Sequence, residues 1–246
     1  FKQKTAYEIS LGLVGSEMCI RDSSKSHQSD VIMRRIDSHS ELSNLLEKHC
    51  IDQFVDLLQL AAVAKEPDEI FEKLWRIKLL TAHRVGPRGV DQLNYLVEEQ
   101  LATRGFVPHD EPWYIGRPVL IKSNDYDLQL FNGDIGIALP EDGPGTRIKV
   151  VFPKLGGGWR RIHPSHLPDH QTVYAMTIHK SQGSECDHVI MVLPEAFSSV
   201  LSRELIYTAI TRATKKLEVW GSKEVLEEAI LSRSPRPSGL QDQLLA

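Results

Sequence analysis

At 246 residues, with 41% apolar and 25% charged residues and a formal net charge of −4, the chain can build one large or two small globular cores, which excludes a disordered protein. A pI near 6.2 leaves no global basic footprint, so any nucleic-acid surface has to be a local patch. Cys19, Cys50 and Cys186 show no CxxC spacing, which argues against a zinc site or disulfide framework and for a reducing, cytoplasmic setting; no apolar run reaches the roughly 18 residues of a membrane span.

Residues 1–23 carry no initiator Met and no sustained periodicity, and "SLGLVGSEMCIRDS" resembles a translated sequencing adaptor, so this segment is set aside as non-native. Residues 24–76 read as a helical lead-in. Within it, "SELSNLLEKHCIDQFVDLLQLAAVA" repeats apolar residues every three to four positions, and "EPDEIFEKLWR" opens with Pro67 and acidic residues. "IKLLTA" then predicts a short buried strand, followed by a Gly/Pro loop and an amphipathic helix from about Val90 to Leu101.

Composition changes at Trp113. Over 113–170, short alternating segments separated by turn residues predict a small antiparallel β unit inserted into a larger α/β domain, with Asn132-Gly133 as the strongest hairpin signal. From Thr172 the α/β pattern resumes with strands "VYAMT", "VIMVL" and "KLEVWG" and helices "SRELIYTAITRA" and "SKEVLEEAI". The Pro/Ser-rich residues 233–246 are expected to fray.

Two polar clusters carry the chemistry. In "TIHKSQGSE" (177–185), Gly183 permits a close approach to phosphate or an unusual turn, and Lys180 supplies a point charge. Ser181 and Gln182 offer hydrogen bonds, and Glu185 suits a ribose hydroxyl; a plain connecting loop is the competing reading. In "YTAITRA" (207–213), Arg212 near a helix end either caps that end or reads a phosphate.

Together, and in this order, the two clusters resemble motifs V and VI of superfamily 1 helicases. "LLTAHRVGPRGVDQLN" (79–94) is similar to that group's motif IV region, and "GRPVLIKSNDYDLQLFNGDIGIAL" (116–139) to the inserted barrel of the RecD branch. Cys186 stands where the family usually has Phe, and a looser local packing is expected from the smaller side chain. The resemblance implies an α/β, RecA-like (P-loop NTPase type) second motor domain at 77–112 and 171–232, with a small SH3-like antiparallel β-barrel inserted at 113–170. It also implies ATP-dependent 5′ to 3′ DNA unwinding with RecB and RecC partners in break repair.

By the same resemblance, Arg212 and Arg84 would face the γ-phosphate. Gly183 and Glu185 would border the nucleotide, Thr177, His179, Lys180 and Ser181 would meet single-strand phosphates, and Gln182 would link the two sites. ATP and Mg²⁺ would be held mainly by a first motor domain, since no GxxxxGK[ST] run occurs in these 246 residues, and the chain alone is expected to be inactive. Two rivals stand beside this reading: a stand-alone RecD-like helicase, and a non-catalytic nucleic-acid or protein binding module. Arg88, Arg160 and Arg161 with Trp159 are weighed as a DNA channel against a solvated hairpin tip. His163, His166 and His170 have only a superficial metal-ligand spacing, and no metal is expected.

Overall fold

The computed structural model describes residues 31–63, 66–108, 111–141 and 147–232. The segment 1–23, set aside as non-native, and the tail 233–246, expected to fray, lie outside the described residues.

Strand β1 (Val31–Arg34) leads into α1 (His39–Leu46), a π-helical turn (Glu47–Ile51), α2 (Asp52–Val63) and α3 (Pro67–Leu74). The start of α1 is fixed locally. Ser38 caps it by accepting from Glu41 N, while Glu41 Oε2 accepts from Asp37 N at 2.6 Å. Pro67 in the first turn of α3 has no N–H to leave unpaired, and Asp68 and Glu69 suit the positive end of the helix.

Next come β2 (Ile77–Thr81) and α4 (Val90–Thr103), and then the inserted strands β3 (Pro118–Ile121), β4 (Ile135–Pro140), β5 (Ile148–Pro153), β6 (Trp159–Ile162) and β7 (His170–Thr172). The chain returns through β8 (Ala175–Thr177), a 3-10 turn (Ile178–Ser181), β9 (Cys186–Val192), α5 (Arg203–Ile210), β10 (Ala213–Trp220) and α6 (Lys223–Leu231). Among the described residues, no helix is long and apolar enough to cross a membrane.

The main sheet has the order β1-β10-β9-β2-β8, and every pairing in it is parallel. Both faces are covered, as parallel strands require. Ile190 and Val192 of β9 pack with α4 and the lead-in helices, while Val189 and Met191 point to the other side, toward α5 and α6. Strand β1 lies inside the segment read as a helical lead-in. Four residues bounded by polar chain show too little periodicity to announce a strand, and β1 exists through its ladder with β10.

The insert is a five-stranded antiparallel sheet of order β6-β5-β4-β3-β7, and among the described residues no ladder joins β6 to β7. Asn132-Gly133 does not join two strands in a tight hairpin. It makes a turn closed by Asp134 N on Phe131 O at 2.9 Å, at the end of the 13-residue run 122–134 that separates β3 from β4. The short hairpin lies instead between β5 and β6, across Lys154–Gly158.

Helices α2 and α3 wedge between the two sheets. Phe54 and Leu58 enter the core of the parallel sheet, whereas Leu57, Ala61, Ile70 and Phe71 pack on Ile137, Leu139 and Val151 of the insert. The chain enters the insert so close to α2 that a Cβ on Gly116 would stand 2.5 Å from Leu58 Cδ2, and its φ of +86° disfavours other residues as well.

Candidate functional site

The polar cluster 177–185 is a crossover. Thr177, at the end of β8, pairs with Thr81 at the carboxyl end of β2, while β9 starts with Cys186 and its His188 pairs with Ile77 at the amino end of β2. Because β2 lies between β8 and β9, residues 178–185 traverse the whole length of β2 and join the two ends of the sheet. The traverse is held by its own side chains. Ile178 is fully buried, Ser181 Oγ donates to Ile178 O at 2.7 Å, and Ser184 Oγ donates to Ser181 O at 3.1 Å.

Ser181 has no exposed surface, and its hydroxyl proton is used internally. Gly183 has φ +85° with open space where a Cβ would stand, so the backbone conformation, not a close neighbour within this chain, calls for glycine. His179, Lys180, Gln182, Gly183 and Glu185 are left exposed along the traverse, and Thr177 is half-buried.

At the carboxyl end, exposed Arg84 lies in the loop after β2, whose closure is marked by Val90 N on His83 O and Asp91 N on Arg84 O, both at 3.1 Å. Lys180 Nζ donates to Asn132 Oδ1 at 3.3 Å, reaching across to the insert. Partial burial, then the charges of Arg84 and Lys122, hold its ammonium below the ordinary lysine pKa. Lys122 pairs with Asp169 at 2.9 Å. This end therefore gathers Arg84, Lys122 and Lys180, with Asp169 paired to Lys122. Lys122 and Asn132 escaped sequence reasoning, because each is one polar residue among many in a turn-rich stretch.

At the amino end, Arg212 follows α5 and immediately precedes β10. Its Nε donates to Thr208 O at 3.3 Å and its Nη2 to Thr211 Oγ1 at 3.2 Å, so the guanidinium folds back on the C-terminus of its own helix, the capping geometry. Its carbonyl accepts from Cys186 N at 2.9 Å, which ties the start of β9 to the start of β10. Arg212 and Arg84 thus lie at opposite ends of the parallel strands, and the structure does not bring them to one phosphate. Exposed Glu185 and half-buried Ser184 share the end that holds Arg212.

Lys78 escaped it too. It is 2% exposed on β2, and its ammonium donates to Ser184 O at 3.0 Å. The available signal is a lone charge inside the otherwise uncharged run "IKLLT". Cys186 is buried, and burial pushes its thiol up to about 11, which leaves it unreactive.

Of the arginines weighed as a channel, Arg88 and Arg160 have partners within the chain. Arg88 is buried and donates to Ile36 O at 2.9 Å and Leu193 O at 3.4 Å. Trp159 stacks on Phe71 at 4.8 Å and donates to Asp68 at 3.2 Å, so one face of its ring packs on α3. Arg160 binds Gln129, while Arg161 is exposed. His163 Nδ1 meets Ser165 Oγ and His170 Nδ1 meets Pro168 O, each at 2.8 Å, as turn residues do.

Residues 172–219 match a family model described as the UvrD-like helicase C-terminal domain. The chain is 42% identical over 187 residues to the RecBCD enzyme subunit RecD of Mycobacterium tuberculosis, covering 76% of this chain and 32% of that protein. It is 34% identical over 173 residues to the ATP-dependent RecD2 DNA helicase of Deinococcus radiodurans, covering 69% of this chain and 24% of that protein. The chain thus spans about a third or less of the length of these relatives. A crystal structure of a Pif1 helicase from Bacteroides with ADP-AlF3 and single-stranded DNA superposes with a TM-score of 0.42 at 14% identity, covering 86% of this chain and 54% of that one.

Proposed function

Because this chain belongs to the RecD family, we propose that it forms the second motor domain of an ATP-dependent 5′ to 3′ DNA helicase subunit. In this reading the RecA-like unit comprises 77–112 and 171–232 with β1 added at its edge, and the insert 113–170 is an SH3-like barrel. The subunit acts in double-strand break repair in the cytoplasm, with RecB and RecC as its partners, a partnership that the name of the Mycobacterium tuberculosis relative supports. A second reading, a stand-alone RecD-like helicase, draws on the likeness to the ATP-dependent RecD2 DNA helicase of Deinococcus radiodurans.

The observation that carries the proposal is the crossover 178–185. One continuous segment follows half-buried Thr177, exposing His179 and Lys180 toward a basic end and Gly183 and Glu185 toward the end that holds Arg212, with Gln182 between them. A displacement felt at one end is transmitted along eight residues pinned to β2, which is what coupling nucleotide state to a DNA strand requires. The basic end takes single-strand phosphates, and the half-exposed Arg212 and Glu185 take the nucleotide. Arg84, beside Lys180, belongs to the DNA side of this division.

The residues present fit one side of a nucleotide. The guanidinium of Arg212 is held by two long hydrogen bonds and can be released to an incoming phosphate at small cost. They do not fit Mg²⁺: among the described residues no group of three His, Cys, Asp or Glu side chains converges as a metal site. Bound ATP supplies phosphoryl transfer to water; this chain contributes a positive charge where negative charge develops. The test is hydrolysis by the longer protein that contains this chain. Loss of DNA-stimulated turnover in Arg212→Ala, with retained fold, supports the proposal, and normal turnover refutes it.

A further inference from the structure

Strand β2 lies inside the parallel sheet, between β9 and the edge strand β8, and all five of its residues are buried, yet its second residue is a lysine. An ammonium in such a place is tolerated only when its donors are satisfied, and packing alone would be served by Met or Leu. Lys78 reaches beneath the crossover. Its Nζ donates to Ser184 O at 3.0 Å and to Ser184 Oγ, and lies 5.5 Å from the centroid of the Trp75 ring.

Ser184 O is the carbonyl of the peptide that leads into Glu185, and Ser184 Oγ hands its own proton to Ser181 O. A buried cation therefore grips the one residue lying between exposed Gly183 and exposed Glu185. Arg212 is near enough for its charge to be felt at Lys78, alongside the larger effect of burial, which places both cations at the same end of the sheet.

We propose that Lys78 is a positioning residue for the nucleotide edge: it clamps Ser184 from beneath and so sets the orientation of the Gly183–Glu185 peptides. The proposal rests on the reading of that edge as nucleotide-binding. Lys78 touches no ligand itself; it acts through the backbone that presents Glu185.

The experiment uses the full-length protein and compares Lys78→Met, which preserves apolar volume, with Lys78→Gln, which retains an N–H donor. In Lys78→Met the KM for ATP rises about tenfold, the scale of one lost hydrogen bond to a charged group, while kcat stays within about twofold. Amide hydrogen exchange at residues 183–186 accelerates, thermal stability is kept, and Lys78→Gln recovers part of both effects. In a Glu185→Ala background, Lys78→Met adds no further change in KM.

An unchanged KM and unchanged exchange in Lys78→Met overturn the proposal, as do fully additive effects with Glu185→Ala. Arg212→Ala, measured alongside, separates the two levels. If it hydrolyses ATP normally, the nucleotide reading of this edge falls and the proposal falls with it. If Arg212→Ala is impaired while Lys78→Met keeps a normal KM, the clamp alone is refuted.

Discussion

Arg84 follows the carboxyl end of β2 and Arg212 precedes the amino end of β10, so the two arginines are separated by the length of the parallel strands. A single phosphate does not bridge that separation, and the residues gathered at each end differ accordingly. Arg84 stands with Lys180 and Lys122, and Arg212 with Ser184, Lys78 and Glu185.

This division predicts two different phenotypes in the longer protein. Arg212→Ala lowers kcat on the order of 10³-fold, about 4 kcal/mol of transition-state stabilisation, with ATP affinity changed less than about tenfold. Arg84→Ala leaves turnover at saturating DNA nearly intact and flattens the salt dependence of single-strand affinity by about 0.7 in logarithmic slope. Single-turnover hydrolysis and a salt titration of DNA binding check the pair, and exchanged phenotypes contradict the assignment of the two ends.

Neighbouring residues of the crossover are predicted to diverge. Ser181→Ala removes the buried donor to Ile178 O and destabilises the fold by about 1 kcal/mol, with no change in the salt slope. Lys180→Ala, which removes an exposed charge linked to Asn132, changes the slope and scarcely moves the melting temperature. Denaturant titration and salt-dependent binding of both variants make the comparison.

Gly183→Ala should cost about 1–2 kcal/mol, because a φ of +85° strains any residue with a Cβ although the space around it is open. Gly183→Asn should cost less, since Asn tolerates the left-handed region. A steric contact at this position would reverse the order, making the larger Asn worse than Ala; thermal melts of the two variants decide.

Glu218 is fully buried on β10, with Arg34 and Lys216 each at 2.6 Å, His188 at 3.2 Å and the Trp220 indole donating at 3.0 Å. Burial pushes its pKa up, but hydrogen bonds from His188, Lys216, Arg34 and Trp220 outweigh that and hold it far below the ordinary carboxylate range. A depressed folded-state pKa contributes stability that is present above the unfolded carboxylate value and is lost as pH falls through the folded one. Glu218→Gln is therefore expected to cost about 3 kcal/mol near neutral pH, by leaving Arg34 and Lys216 without their counter-charge. The difference from wild type should shrink below about pH 4, where protonation begins to penalise the wild type. A cost that stays constant from pH 7 to the acid limb would refute the linkage.

Much of this molecule is legible along the chain. Strand β2 reads as a short buried strand, and the helix opening near Val90 needs only its apolar spacing and the Gly/Pro loop before it. The ends of α1, α5 and α6 are marked by Ser38, Ser202 and Ser222, whose hydroxyls accept from the first turn. Such signals act within a few residues, where sterics and local hydrogen bonds decide. The spacing of "TIHKSQGSE" and "YTAITRA" likewise survives in one dimension and is enough to identify the relatives.

What the sequence by itself determined is therefore most of the elements, the positions of the two polar motifs, and the presence of a β unit between α/β halves. The tertiary structure alone decided which end of the sheet each side chain reaches. Thr177 and Glu185 are eight positions apart and occupy opposite ends of β2, because β8 and β9 run parallel on either side of it and the connection must return along its length. The same long-range ladders turned β1 into a strand, hid Ser181 within the crossover, drew Arg88 inward to Ile36 and Leu193, and laid Trp159 on Phe71. Each of these depends on a partner at least 52 positions away, or on a face that exists only after the sheet has formed, so the residue's own neighbourhood carries no trace of it.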